Sequence, residues 1–148
     1  MSEVKDHILM WSHYSEKHTG FCLEFRATST TKFFGRAQKI IYATQYPSIN
    51  FFKCSRMAQA EGVLLTKANL WCYEKEWRII DHEHGPGLYH FYPELLTGVI
   101  IGCQMSDENK IKIINWAENR SPKPIIYKAE RKKAEFGLDI IPLEAKDK

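Results

Sequence analysis

The chain has no Cys-x-x-Cys pair, no glycine-rich phosphate loop and no Gly-x-Ser-x-Gly elbow. The first absence excludes the usual structural zinc and thioredoxin-type spacings. The second removes the backbone cradle that dinucleotide folds and P-loops place around phosphate. The third removes the strained turn that presents a serine nucleophile in α/β-hydrolases. No apolar run approaches the roughly 20 residues that span a bilayer, so no membrane partner is expected. Met1 leads into Ser-Glu-Val-Lys-Asp-His rather than into a secretory signal. The four cysteines (Cys22, Cys54, Cys72, Cys103) are widely separated. That suits reduced thiols in a cytoplasmic protein better than a disulfide framework. A net charge of +3 is too small to call for nucleic acid, which is therefore a disfavoured partner.

What is there is an ordinary globular composition: 44% hydrophobic and 26% charged residues, which excludes disordered and fibrous classes. The 148 residues suffice for one domain with its own core. The pattern reads as a single α+β domain over residues 1–144, with a mixed, mainly antiparallel sheet, about three helices and a disordered tail at 145–148. Nothing in it specifies an oligomeric state.

Asp6 is expected to cap a helix running to about Lys17, closed by Thr19-Gly20. Gly20 to Arg26 alternates as a strand, and Ala37 to Ala43 reads as a second. Ser55 to Leu70 reads as a helix with Met57, Ala60, Leu64, Leu65 and Ala68 on its apolar face. A strand from Trp71 to about His82 then turns at residues 83–87 into a hairpin partner, Leu88 to Tyr92. Thr97 to Gly102, a helix capped by Ser106 to about Glu118, and Ile125-Ile126-Tyr127 form a βαβ unit with one parallel pair. Gly137 to Leu143 is the last strand.

The segment Trp71-Cys72-Tyr73-Glu74-Lys75-Glu76-Trp77-Arg78 carries the strongest chemical pattern. Read as a strand, it puts Tyr73, Trp77 and Ile79 on one face and Glu74, Glu76 and Arg78 on the other. Two carboxylates beside a guanidinium could orient a polar substrate or stabilise positive charge, with Arg78 tuning a carboxylate or holding phosphate. The same pattern also describes a solvated face with a surface ion pair, or an ion-pair network with Lys67 or Arg36. Lys67, just upstream, is a candidate phosphate contact. A second cluster runs from Trp11 to Cys22. There Tyr14 or His13 could meet a base-like ring and His18 could act as acid or base, although core and surface roles account for the same residues. His13 and His18 are about 140° apart around a helix, and no spacing suits a metal, so none is expected.

Two of these segments together resemble a bacterial family known only as domain of unknown function 2971. The match runs through Leu9-Met10-Trp11-Ser12-His13-Tyr14 and His18-Thr19-Gly20-Phe21-Cys22-Leu23-Glu24-Phe25. It continues through Leu65-Thr66-Lys67, Trp71 to Ile80, and Val99-Ile100-Ile101-Gly102 with Met105-Ser106. Members of the family usually carry a further N-terminal segment, so the chain reads as the C-terminal part of a longer domain. The longer family pattern is similar to the ADP-ribosyltransferase fold. That resemblance implies NAD as the small-molecule nucleotide and makes Glu74-Lys75-Glu76 the late Glu-x-Glu element. Glu76 and Glu74 are then the implied catalytic carboxylates, with Tyr14, His13, His18, Lys67, Arg78 and Trp71 around the substrate. The other reading is a non-catalytic module of a defence or toxin system that binds nucleotide, nucleic acid or protein.

Overall fold

The computed structural model describes residues 1–31, 33–50, 52–81 and 87–144. The tail expected at 145–148, the end of the strand expected to reach about His82, and residues 83–86 of the expected turn lie outside the described residues. The chain divides into two compact units. Unit 1 takes Met1–Val4 and Ser29–Gly87, and unit 2 takes Lys5–Thr28 and Leu88–Lys148.

Unit 2 holds helices α1 (Ile8–Tyr14) and α3 (Asp107–Glu118) and strands β1 (Phe21–Phe25), β6 (Leu96–Ile101), β7 (Ile125–Arg131) and β8 (Leu138–Pro142). The strands form one sheet in the order β1-β6-β7-β8. The β1–β6 and β7–β8 pairs are antiparallel, and β6–β7 is parallel, pairing Gly98 with Ile125. The expected α+β class with a mixed, mainly antiparallel sheet therefore holds, as does the βαβ unit. Ser106 caps α3 by accepting from Asn109 N at 3.4 Å. Asp107 and Glu108 lie in the first turn of α3, where the helix dipole favours negative charge. Strand β6 is apolar on both faces because both are covered. Val99 and Ile101 pack with Ile114, Ala117 and Ile126, while Ile100 packs with Trp11, Ala129 and Leu138.

Helix α1 is shorter than Asp6 to Lys17. His7 occupies its N-cap without a side-chain bond, so Asp6 is not the cap. After Tyr14 the chain enters a left-handed turn in which Glu16, Lys17 and His18 all have positive φ (49°, 57° and 70°). Each such residue costs about 1–2 kcal/mol. Hydrogen bonds offset the cost: Gly20 N donates to Ser15 O at 2.8 Å, and Gln104 N donates to His18 O at 3.0 Å. Gly102 makes this docking possible, because a Cβ there would sit 2.2 Å from His18 O. Leu88 to Tyr92 forms no strand, so the expected hairpin partner is absent there.

Unit 1 holds helix α2 (Arg56–Leu64) and the short strands β2 (Gln38–Lys39), β3 (Ile41–Ala43), β4 (Thr66–Ala68) and β5 (Trp77–Arg78). β2 pairs antiparallel with β5, and β3 pairs parallel with β4. Ser55, expected as the first residue of the helix, is its cap, accepting from Ala58 N at 3.2 Å. The helix ends six residues earlier than its periodicity suggests, because Leu65 O accepts from Ile41 N at 2.7 Å and the chain turns into β4. Its expected apolar face is not a core face: α2 has no buried residue, and Met57 is 57% exposed.

Candidate functional site

The segment read as a strand from Trp71 is a 3-10 helix over Asn69–Glu74. Lys75 reverses it in the left-handed region at φ 42°. Only Trp77–Arg78 is extended. The alternation of faces is therefore wrong in its geometry, since a turn rather than a pleat brings the carboxylates together. Glu76 is fixed by its backbone on both sides. Its N donates to Tyr42 Oη at 2.8 Å, and its carbonyl accepts from Ile40 N at 3.0 Å. The Glu74 carbonyl accepts from Ser2 Oγ at 2.6 Å.

The side chains converge. Lys67 Nζ donates to Glu74 Oε2 and to Glu76 Oε2, the latter at 3.0 Å. Arg78 Nε donates to Glu76 Oε1 at 2.7 Å and its Nη2 to Oε2 at 3.2 Å. Arg78 Nη1 also donates to Leu64 O, which ties the cluster to the end of α2. Trp71 lies with its ring centroid 5.0 Å from Lys67 Nζ, a cation–π distance. Glu74 is only 2% exposed, and burial of a charge at that depth requires a bonded partner. Lys67 is one such partner.

Electrostatics follow from the geometry. The Arg78 hydrogen bond, with Lys67 in support, holds the Glu76 carboxyl below its ordinary range against the opposing effect of burial. Burial works against the Lys67 charge, but the bonds to Glu74 and Glu76 outweigh it and raise its pKa. The Arg78 pKa is raised by Glu76 first. Both residues stay ionised at neutral pH. Glu76 is thus a poor proton acceptor but a fixed negative charge, able to stabilise positive charge beside it. Three of its roughly four acceptor sites are already engaged.

Lys67 also lines a pocket of about 560 Å³. Its apolar walls come from Ala43, Ile49, Val63 and Ala68, and Thr44, Gln45 and Thr66 add polar atoms. Tyr46 and Pro47 complete it, with Tyr46 almost wholly exposed. β3 and β4 supply two of the walls because register places Ala43 opposite Ala68 and Tyr42 opposite Lys67. The sequence pattern pointed to Lys67, Glu74, Glu76, Arg78 and Trp71, which unit 1 brings together. It missed Tyr42 and the residues from Ala43 to Ile49. Their signal is a parallel pairing between segments more than twenty residues apart, which no local pattern carries. Arg36 is bonded to Asp81 at 3.1 Å instead of joining the cluster.

Tyr14, His13 and His18 belong to unit 2. Tyr14 is 64% exposed, with its ring 6.4 Å from that of His13 in an edge-on arrangement. His18 is buried, its Nδ1 lacks a hydrogen-bond partner, and burial followed by Arg131 lowers its pKa. Among the described residues no group of three or more His, Cys, Asp or Glu side chains could hold a metal ion, and no helix is long and apolar enough to cross a membrane.

No curated protein and no solved structure matches the chain. Residues 10–79 match the model of a family described as a protein of unknown function (DUF2971). The matched stretch contains Trp11, the left-handed turn, Lys67, Glu74, Glu76 and Arg78, and it stops short of the β6–α3 segment. From α1 to the ion cluster, the sequence is similar to that family.

Proposed function

We propose that unit 1 is a small-molecule binding module whose pocket takes the heterocyclic ring of a nucleotide, with NAD as the first candidate. One observation carries the reading. The only charged side chain among the described residues lining the pocket is Lys67, and two carboxylates hold it in place. An ammonium has three donors, and Glu74 and Glu76 take two. The third, beside the face of Trp71 5.0 Å away, is the donor we assign to a ring carbonyl or carboxamide, while the apolar walls suit the ring itself. The resemblance to ADP-ribosyltransferases extends this to NAD processing, with Glu76 stabilising the positive charge that forms as nicotinamide leaves. The clamping of Glu76 by Arg78 and Lys67 favours binding over group transfer, because little of its acceptor capacity remains for ribose hydroxyls.

Isothermal titration with NAD, run beside Glu76→Gln and an assay for released nicotinamide, tests the reading. Saturable binding without release supports the module. Release that Glu76→Gln abolishes makes it an enzyme, and no heat of binding sinks both.

A further inference from the structure

We propose that Glu74 sets the charge preference of this pocket, making it select an uncharged ring over an anionic one. The inference rests on the binding role given to the pocket above and goes further, to the residue that determines its specificity. A lysine lining a pocket ordinarily marks an anion site. Here its charge is already answered. Lys67 and Arg78 contribute two positive charges to the cluster, and Glu74 and Glu76 contribute two negative ones. The cluster therefore offers an anion no net attraction, while the remaining Lys67 donor still serves a neutral acceptor.

Glu74 is the member that makes this arrangement specific. Glu76 is bonded to both cations, whereas Glu74 is bonded to Lys67 and is the more deeply buried, with a side chain 3% exposed against 19%. A buried carboxylate is screened least by solvent, so Glu74 acts on the Lys67 ammonium more strongly than Glu76 does. Glu74 is a positioning residue: it acts through the Lys67 ammonium. Neutralising it leaves two cations against one anion, and the pocket should then attract negative charge.

The test uses nicotinamide and nicotinate, two probes of nearly identical shape that differ by one charge, with NAD as a third ligand. Binding is followed by ligand-observed NMR titration on the full chain. The native protein should bind nicotinamide more tightly than nicotinate. Glu74→Gln should raise the affinity for nicotinate relative to nicotinamide by about tenfold, reversing the preference. Added salt should weaken nicotinate binding to the variant and leave nicotinamide unaffected. If Glu74→Gln does not fold, Glu76→Gln removes one negative charge from the same ammonium at a less buried position and should shift the ratio in the same direction. Binding with an unchanged nicotinamide-to-nicotinate ratio in the folded variant overturns this inference alone. A native preference for nicotinate does so too. Failure of all three ligands to bind the native chain overturns the binding role along with it.

Discussion

Unit 2 and unit 1 hold their shapes by different means. In unit 2 the central strand β6 has neighbours on both edges and apolar cover on both faces, and Val99 and Ile100 have no exposed surface. Among the described residues of unit 1 the buried apolar side chains are Phe34, Ile40 and Leu65, and its most deeply buried side chain is the carboxylate of Glu74. Each fully buried aliphatic or aromatic side chain contributes about 1.5–3 kcal/mol, so unit 1 draws little from its core. Its order rests on ion pairs and backbone bonds grouped beside a pocket. A unit with so small a core gains most from whatever occupies that pocket, because a ligand that binds the folded form stabilises it by mass action.

The largest expected effect sharpens this contrast. Ile100→Ala should destabilise unit 2 by about 4 kcal/mol, since a fully buried side chain leaves a cavity in a packed core. Denaturant unfolding reads this as a lowered midpoint. Leu65→Ala in unit 1 should cost less, because exposed neighbours such as Val63 and Leu64 can relax around it. Equal costs would erase the distinction. Next comes Lys67→Met, which removes a bonded cation from the buried Glu74 carboxylate. About 3 kcal/mol of local stability should be lost, read as faster amide exchange at residues 66–78 with unit 2 protection unchanged. Gly102→Ala should cost unit 2 about 2 kcal/mol. The added Cβ meets His18 O at 2.2 Å and Gly20 O at 2.5 Å, and both are backbone atoms. A variant as stable as the native protein would show that the left-handed turn is not held at that contact.

The two units were also unequally legible. In unit 2 the signals are local and agree with one another. Ser106 caps, the charges after it suit a helix start, and Val99-Ile100-Ile101 and Ile125-Ile126-Tyr127 read as buried strands. In unit 1 the local signals conflict with long-range pairing. The helical period runs on through Leu65 and Ala68, but bonding to Ile41 draws Thr66–Ala68 into a strand. The alternation from Trp71 to Arg78 imitates a strand, yet Lys75 adopts the left-handed region and folds the segment back. The residues of the ion cluster were still identifiable, because Lys67, Glu74, Glu76 and Arg78 announce themselves by charge. Their arrangement was not, because it depends on a turn and on Tyr42 from a distant strand.

The smallest effect separates the units by pH. Burial first, and Arg131 second, lower the His18 pKa below its ordinary 6.5. The unfolded chain then binds that proton more readily than the folded one, so stability falls as pH drops below 6.5. For Glu76 the folded pKa lies below the ordinary 4.5, chiefly through Arg78. Its contribution is intact above 4.5 and is lost only as pH falls through the folded value. Between these windows the turn at Glu16–His18 in unit 2 should loosen while the ion cluster of unit 1 stays closed. Amide exchange at pH 7.5 and pH 5 should show faster exchange at Gly20 and Gln104, whose N–H groups bond to the turn, and little change at Glu76. His18→Asn keeps a residue that tolerates positive φ but cannot titrate, and it should remove the pH dependence. Acid-induced exchange that persists in that variant would place the sensitivity elsewhere in unit 2. Exchange at Glu76 rising in the same window would show that the two units respond to acid as one.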